Sequence, residues 1–543
     1  MPKGEKHYET PRRSHCIMTR EEAESGKRTR WEAMEIRGPI RNLSPYLWSL
    51  THLTALFLND NSLQRIPPDI TKLCHLQCLD LAGNKLRSLP AELGDMTHLR
   101  ELLLNNNMLR VLPYELGKLF LLQNLGLSGN PLQPEILAMV NEPNGTSKLL
   151  SFLLDNLSVA PRPPDREWIN LPAPGQPRPT SRATFNVMSY NILTDKLATR
   201  QLYGYCPSWA LTWEYRKQAI LKEIMDSQAD IVALQEVETE QFYSFFLPQL
   251  QQQGYDGIFT PKSRAKTMGE HERKFVDGCA QFFHKQKFSL LEHAVIEFNK
   301  LAMAHAEGSD DMVNRVQLRD NVGQAALLEV KESLRGESNS TQFQHLIVAN
   351  VHIHWDPEFS DVKLIQTVML MSELDNFAQK VQLDRGLPYR NSINGAPGIP
   401  FFLCGDFNSL PESGVLQFLL DSKIPTHHPD FKDLAYGGFM SRFSQAVSPG
   451  SGHDSSQLIH RFAIKRAYQN EHLPFTNYTY DFKGILDYIF YSYETLAPVA
   501  LLGPVSKEWF NEYRVIGCPN PHHPSDHVPL LCEFEIRPQP FKL

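Results

Sequence analysis

Nowhere in the 543 residues does an uncharged apolar run reach the roughly 18 residues of a membrane-crossing helix, so no segment is expected to span a bilayer. The N-terminus, MPKGEKHYETPRRSHC, carries no apolar stretch behind its charges and so lacks the pattern of a secretory leader. Cysteine is sparse. The eight residues (Cys16, Cys74, Cys78, Cys206, Cys279, Cys404, Cys518, Cys532) make no dense framework and no CxxC pair, and free thiols of an intracellular protein are expected. An excess of positive charge is missing too. Lys and Arg number 54 against 61 Asp and Glu, a formal net charge of −7, which excludes a uniformly basic nucleic-acid coat but not a local basic track. HExxH and zinc-type Cys/His spacing are absent, as are GxSxG and GxxxxGK[ST]. Zinc hydrolases, serine hydrolases and P-loop NTPases are therefore disfavoured.

A length of 543 residues calls for two or more domains, and 42% hydrophobic with 21% charged residues describes a globular chain. A repeat is plain. Leu53, Leu56, Leu58, Asn61 and Leu63 precede Ile66-Pro67, and the pattern returns at Leu76–Pro90, at Leu99–Pro113 and from Leu122 to Leu132, in steps of 23 residues. This is leucine-rich-repeat spelling. LxxLxL builds a short strand with its leucines turned inward, and the recurring Asn can satisfy backbone groups where each coil turns. No coil buries its own apolar face, so the stack is the stable unit. Trp31 to Leu50 reads as a degenerate first coil and Ile136 to Leu154 as a helical closing cap. Cys74 and Cys78 inside the array read as core filling and solenoid surface, since no second ligand pair follows them.

Seven of the 38 prolines fall between Ser158 and Ala183, a composition that favours an extended spacer. The expected organisation is a flexible extension (1–30), a leucine-rich-repeat domain with caps (31–157), a Pro-rich linker (158–183) and one large domain (184–543). Within that domain Phe185–Ser189, Ile231–Leu234, Leu346–Ile353, Phe401–Cys404, Leu486–Tyr491 and Val528–Ile536 read as strands, and Trp213–Asp226 as a helix with Trp213, Ile220 and Ile224 on one side. Two packed sheets with helices outside are expected. The stretches 262–345, 384–400 and 441–460 are less legible.

The strand ends carry the chemistry. Asn191, Gln235 and Glu236, Asn350, His352 and His354, Asp406 and Asn408, Asp487, and Asp526 with His527 each stand at or just beyond an apolar strand. An oxygen-rich set of this kind suits Mg²⁺. Glu236 and Asp406 are the evident carboxylates. Asn191 and Asn408 can hold a bound water or a phosphate oxygen without adding charge, and His527, oriented by Asp487, can neutralise a non-bridging oxygen. Metal, water and phosphate together describe phosphodiester hydrolysis. Singly, each residue reads as an ordinary turn side chain; the same habit repeated from strand to strand does not. Lys262, Arg264, Lys266, Arg273 and Lys274 form a basic track, and Tyr203, Tyr205, Trp209 and Trp213 an aromatic group. They could follow a phosphate backbone and stack bases, the alternative being a solvated charged loop beside core aromatics.

The motifs SYN, LQEV, GDFNS and SDH, in that order, resemble the exonuclease–endonuclease–phosphatase superfamily over nearly all of 184–537. The resemblance implies an α/β fold, a four-layer α/β/β/α sandwich following the solenoid. Repeats, Pro-rich stretch and nuclease together, with ATRQLYGYCPSWAL, PKSRAKTM, FTNYTYDFKGILDYIFYS and GCPNPHHPSDH, resemble the catalytic deadenylases of the carbon catabolite repression–NOT complex. That likeness implies a 3′→5′ exoribonuclease acting on mRNA poly(A) tails with two Mg²⁺ ions and releasing 5′-AMP. It implies that Glu236 binds metal, that Asp406 and Asn408 position metal, water and phosphate, and that Asn191 supports them. His527, held by Asp487, would stabilise the phosphorane, with Asp526 a second metal or orienting ligand. Glu272, His352, Pro357, Asn477 and Phe482 would contact the nucleotide, Phe482 stacking an adenine and Asn477 reaching its edge. The implied partners are a ribonuclease D type deadenylase on the repeats and, through it, the large NOT scaffold subunit, with no membrane. The implied location is cytoplasm, including mRNA decay bodies, and nucleus. Two other readings stay open: a docking subunit with a weak nuclease, and a phosphatase of small phosphorylated substrates.

Overall fold

The computed structural model describes residues 32–171, 184–306, 308–331, 345–386, 399–445 and 456–537. The chain divides into two compact units, Met1–Leu157 and Ser158–Leu543; the expected extension 1–30 lies outside the described residues.

In the first unit each coil supplies one three-residue strand: β1 (Ala33–Glu35), β2 (Ala55–Phe57), β3 (Cys78–Asp80), β4 (Glu101–Leu103) and β5 (Asn124–Gly126). They pair in parallel and in chain order, with Ala55 opposite Cys78, Cys78 opposite Glu101 and Glu101 opposite Asn124. The 23-residue period of the sequence is this register. The stretch expected to be a degenerate coil contributes β1 and a 3₁₀ turn, Pro45–Ser49. Leu56, Leu58, Leu79, Leu81, Leu102 and Leu104 are fully buried, each contributing about 1.5–3 kcal/mol. The recurring asparagines bolt the coils together. Asn107 Nδ2 donates to the carbonyls of Leu81 (2.9 Å) and Leu104 (3.1 Å), and its Oδ1 accepts from Leu86 N–H (3.0 Å). Asn84 and Asn130 repeat the arrangement one coil before and after. Cys74 is exposed, and the Cys78 thiol donates to Glu101 Oε2 (3.3 Å). Helices Pro134–Val140 and Gly145–Asp155 close the stack, the second burying Leu149, Leu150, Leu153 and Leu154. Its close seating requires glycine at 117, where a Cβ would stand 2.3 Å from Leu154 N.

The second unit begins with β6 (Trp168–Asn170), β7 (Thr184–Asn191), β8 (Ile231–Glu238), β9 (Tyr255–Pro261), β10 (Asp277–His284), β11 (Phe288–Glu297), β12 (Val322–Val330) and β13 (His345–His352). It continues with β14 (Phe401–Asp406), β15 (Lys423–Pro425), β16 (Gln457–Ile459), β17 (Ile464–Arg466), β18 (Asn477–Tyr478), β19 (Lys483–Gly484), β20 (Asp487–Ser492), β21 (Leu496–Leu502) and β22 (Leu530–Ile536). One sheet has the order β6-β21-β22-β7-β8-β10-β9 and the other β11-β12-β13-β14-β20-β17. Between them Phe185, Val187, Ile231 and Ala233 meet Leu328, Val348, Phe402 and Ile489 in one buried cluster. Outside, helix Trp213–Ser227 sets Ile220 and Ile224 on Met188, Val232 and Leu234. Helix Ser360–Asp384 sets Leu364, Ile365 and Val368 on Leu327, Ile347 and Ala349. The result is the four-layer α/β/β/α sandwich. Strand alternation explains the layering, because successive side chains point to opposite faces and both faces are apolar.

Two sequence expectations change here. Gln235 and Asn350 do not stand at strand edges but inside β8 and β13. Both are fully buried and clasp the sheets: Gln235 Nε2 donates to Asn350 Oδ1 (2.8 Å), and Asn350 Nδ2 to the carbonyls of Leu234 and Ala280 (both 2.9 Å). Nor is 158–183 a linker throughout. β6 pairs with β21, Arg166 donates to the carbonyls of Gly503 (2.6 Å) and Pro529 (2.7 Å), and Trp509 Nε1 donates to Pro161 O (2.9 Å). Proline does not prevent this: β6 itself, WIN, has no proline and lies at the sheet edge.

Candidate active site

Strand register brings the polar strand ends together. The last residue of β7, Asn191, pairs across with Gln235 of β8; the last residues of β13 and β14, His352 and Asp406, pair in parallel; and Asp406 faces Asp487, the first residue of β20. Asn191 Nδ2 then bridges the two sheets, donating to Glu236 Oε1 (3.1 Å) and Asp406 Oδ2 (2.9 Å). His352 Nε2 stands 3.6 Å from Asp406 Oδ2 and 4.0 Å from Glu236 Oε1. His527 Nε2 stands 3.7 Å from Asp406 Oδ2, while its Nδ1 donates to Asp487 Oδ2 at 2.7 Å. All these side chains are buried. Glu236 and Asn408 hold φ of 62° and 46°, left-handed values that non-glycine residues adopt at a cost. Thr194 N–H donates to Glu236 Oε2 (2.9 Å) and Asn408 N–H to Asp406 Oδ1 (2.8 Å), so the strained backbone serves to aim the carboxylates.

The electrostatics follow from burial. Burial of the His527 ring disfavours its cation, but Asp487, Asp526 and Asp406 outweigh it and hold the imidazolium well above the ordinary histidine range. His352 goes the other way: burial, then Lys262, depress it to about 4, so it is neutral. Glu236 and Asp406 are both pushed up by burial, with the neighbouring Asp487 adding to the shift at Asp406. Two buried carboxylates with raised proton affinity are a site that a cation stabilises. Ligand atoms of Asp406, Asp487 and His527 lie within 4.8 Å of one another, and Asp487 Oδ1 is buried without a hydrogen-bond partner. Because His527 is committed to Asp487, the oxygen donors Glu236 and Asp406 are the better fit to a divalent metal.

Asp526 is placed to orient. Its Oδ2 accepts from the Tyr203 hydroxyl (2.8 Å) and from Asn477 Nδ2 (3.3 Å), which leaves it facing protein donors rather than a metal. Asn477, expected at an adenine edge, stands beside His527 and donates to Asp526 at the margin of the cluster. The adjoining cavity, about 510 Å³, is lined by Pro357, Phe482, Asn408, Lys363 and Trp355 among others. Burial lowers Lys363 to about 8, and its Nζ donates to Asn408 O (2.6 Å). Glu272 lies on an exposed turn, Glu272–Phe275, and makes no hydrogen bond or ion pair with the cluster.

The basic track is largely neutralised. Lys262 pairs with Asp277 (2.6 Å), Arg264 with Asp277 (2.7 Å) and Asp320, and Lys266 with Glu297 (2.7 Å). Arg273 and Lys274 remain about half exposed, 3.8 Å from Glu270 and 3.5 Å from Glu240, so residues 262–266 of the track are paired with acids while 273–274 stay open to solvent. Of the aromatics, Tyr203, Tyr205 and Trp213 are buried, and only Trp209 reaches the surface. Arg216 carried no sequence signal. Fully buried, it donates to the carbonyls of Leu211, Ile192, Leu193 and Pro524 and so ties the loop after Asn191 to the one before His527.

The sequence profile of the Endonuclease/Exonuclease/phosphatase family matches residues 183–527, and that of the leucine rich repeat residues 51–109. CCR4-NOT transcription complex subunit 6-like-B of Xenopus laevis is 53% identical over 99% of this chain and 97% of its own length. The CCR4-Not complex 3′-5′-exoribonuclease subunit Ccr4 of Schizosaccharomyces pombe is 42% identical over 94% of this chain and 75% of its own length. Among solved structures, ANGEL2, a 2′,3′-cyclic phosphatase, superposes with a TM-score of 0.52 at 28% identity, over 68% of this chain and 97% of that one. Profile, relatives and sandwich agree: this chain belongs to the Endonuclease/Exonuclease/phosphatase family, and its relatives include the CCR4-NOT transcription complex subunit 6-like proteins.

Proposed function

We propose that the second unit is a 3′→5′ exoribonuclease that shortens mRNA poly(A) tails by Mg²⁺-dependent hydrolysis, releasing 5′-AMP, as a catalytic subunit of the CCR4-NOT complex. The observation that carries this reading is the single Asn191 amide holding Glu236 and Asp406 together beside His527, whose Nδ1 bonds Asp487 at 2.7 Å, at the edge of the cavity that contains Phe482.

Glu236 and Asp406 would hold Mg²⁺, with two ions expected at the site, and the metal would supply Lewis acidity and a more acidic water. Every other element is protein. Asn191 fixes the two carboxylates, and Asp406, braced by Asn408 N–H, orients the attacking water. The water oxygen bonds to phosphorus as the bond to the 3′ oxygen of the preceding nucleotide breaks, and that oxygen leaves with a proton. The His527 imidazolium stands where charge develops on a non-bridging oxygen, and Asp487 keeps it charged and oriented. Phe482 and Pro357 offer the faces between which an adenine stacks.

The repeat unit would dock a ribonuclease D type deadenylase and, through it, the large NOT scaffold subunit, on the parallel face of β1–β5. Cytoplasm, with its mRNA decay bodies, and nucleus are the proposed locations. The test uses the full chain on 5′-labelled RNA ending in adenosines, with Mg²⁺, with EDTA, and as Glu236→Ala, beside a uridine-tailed control. Stepwise, Mg²⁺-dependent shortening that stops where the adenosines end supports the reading. No shortening by folded protein moves the function to docking. The likeness to a 2′,3′-cyclic phosphatase favours one alternative chemistry, loss of a terminal cyclic phosphate from small substrates, and the same gels with cyclic-phosphate-ended RNA read it out.

A further inference from the structure

We propose that Trp355 and Arg319 form a second nucleotide subsite, in which the base next to the departing one stacks on Trp355 and a backbone phosphate of that nucleotide pairs with Arg319. This rests on the poly(A) reading above and adds to it the residues that hold the remaining chain.

Trp355 is 68% exposed, yet it follows two buried residues, Ile353 and His354. That base is stiff. Ile353 N–H donates to Asp406 O (3.0 Å), Ile353 O accepts from Asn408 Nδ2 (3.0 Å), and His354 N–H donates to Gln366 Oε1 (3.0 Å). The indole is therefore held out to solvent by the same backbone that places Asp406 and Asn408. It also lines the cavity that contains Phe482 and Pro357. With Phe482 and Pro357 taken by the departing adenine, Trp355 is a free π-face beside them, and stacking of successive bases on aromatic side chains is the general mode of single-strand binding.

A cation continues the path. The His354 ring lies 6.2 Å from Trp355 and 5.4 Å from Phe359, and Arg315 and Arg319 both lie over Phe359, at 4.4 Å and 4.3 Å from its centroid. Arg315 is spent on the buried Asp361, with bonds of 2.8 and 2.9 Å. Arg319 is not: it donates from Nε to Arg315 O (3.2 Å), and among the described residues no carboxylate pairs with it. His354 adds no charge, because burial, Arg319 and Lys363 hold it at about 4. The nearby acids set direction. Asp356 caps the turn Pro357–Phe359 by accepting from Glu358 N–H (2.8 Å), and Glu358 is exposed, so a phosphate is repelled there and favoured on the Arg319 side.

The experiment compares full-length wild type, Trp355→Ala, Trp355→Phe and Arg319→Gln on three probes. These are adenosine-tailed RNA, the same RNA abasic at the penultimate position, and the p-nitrophenyl ester of adenosine 5′-monophosphate, which has no second nucleotide. Trp355→Ala is expected to raise KM for the tailed RNA roughly 5- to 100-fold, the effect of a lost stacking platform. It should leave the ester and the abasic RNA unchanged, and Trp355→Phe should restore most of the loss. Arg319→Gln should raise KM for both RNAs and flatten its dependence on salt. Wild-type KM in Trp355→Ala on tailed RNA overturns the subsite alone, as does an equal loss on the ester, which would place Trp355 in the first-base pocket. A wild type that hydrolyses the ester but not the RNA overturns the poly(A) reading, and this proposal with it.

Discussion

Replacing Asn107 by alanine removes four hydrogen bonds, the three described above and a long one from Nδ2 to Asn105 O (3.3 Å), but they are not equal. The carbonyls of Leu81 and Leu104 each keep a second donor, Asn84 Nδ2 (3.0 Å) and Asn130 Nδ2 (2.8 Å) respectively. Only Leu86 N–H loses its sole side-chain acceptor in a buried position. The orphaned N–H costs about 1–3 kcal/mol and each of the two weakened leucine carbonyls about 0.5–1 kcal/mol, so the expected loss is about 2–5 kcal/mol. For a unit of this size that lowers its melting midpoint by roughly 6–25 °C. Asn107→Asp should be worse at pH 8, since it keeps the shape but sets a carboxylate against carbonyl oxygens at 2.9 and 3.1 Å. Protonation relieves it. The native state raises that carboxyl's proton affinity, so the Asp variant should regain stability as the pH falls and lose it as the pH rises. Calorimetry of the full chain should show two transitions, with only that of the repeat unit displaced, and RNA hydrolysis by the folded second unit intact. A displacement worth less than about 1 kcal/mol, or an Asp variant no worse than Ala, would refute the ladder argument.

The second unit yields three further expectations. In Asp487→Asn, His527 loses the carboxylate 2.7 Å from Nδ1, so its cation disappears as pH rises through the ordinary histidine range; kcat should fall roughly 100-fold by pH 8 while wild type stays flat from pH 6 to 8, and parallel profiles would contradict this. Glu236→Gln should abolish Mg²⁺-dependent hydrolysis yet raise the melting midpoint, because burial lifts the native carboxyl above its unfolded value and its charge therefore costs stability; a lowered midpoint would count against it. Glu223, buried beside Tyr190 and pushed up to about 7, binds a proton in the native state that the unfolded chain releases, so wild-type stability should decline between about pH 5 and pH 7.5. Denaturant melts of Glu223→Gln should lose that slope; an unchanged slope assigns it elsewhere.

What could be read from the sequence was what repeats or lies local. The 23-residue spelling is the strand register itself, and strand ends are visible wherever an apolar run stops on a polar residue, as at Asn191 and Asp406. Partners remote in sequence could not be read. Tyr203 reaches Asp526 across 323 residues, and Arg216 reaches Pro524 across 308, and no local pattern announces either contact. The same blindness made Lys262 and Arg264 look like a free track, since Asp277 and Asp320 that neutralise them sit on other segments. Gln235 and Asn350 looked like site residues because a strand's outward and inward faces are indistinguishable when both are buried.

The pairing of β6 with β21 alters what the proline-rich stretch connects. Since β6 and β7 belong to one sheet, residues 172–183 join two strands of the same unit, and the chain passes from one unit to the other at Leu157–Ser158. Lengthening the stretch with glycine and serine would therefore leave the covalent distance between repeats and nuclease untouched. Its cost would be the closure of a longer loop, about 0.6 kcal/mol for each doubling. An insertion meant to change the covalent span between the two units belongs between Leu157 and Ala160, because Ala160 O and Pro161 O already accept from His522 Nε2 (2.7 Å) and Trp509 Nε1 (2.9 Å) of the second unit.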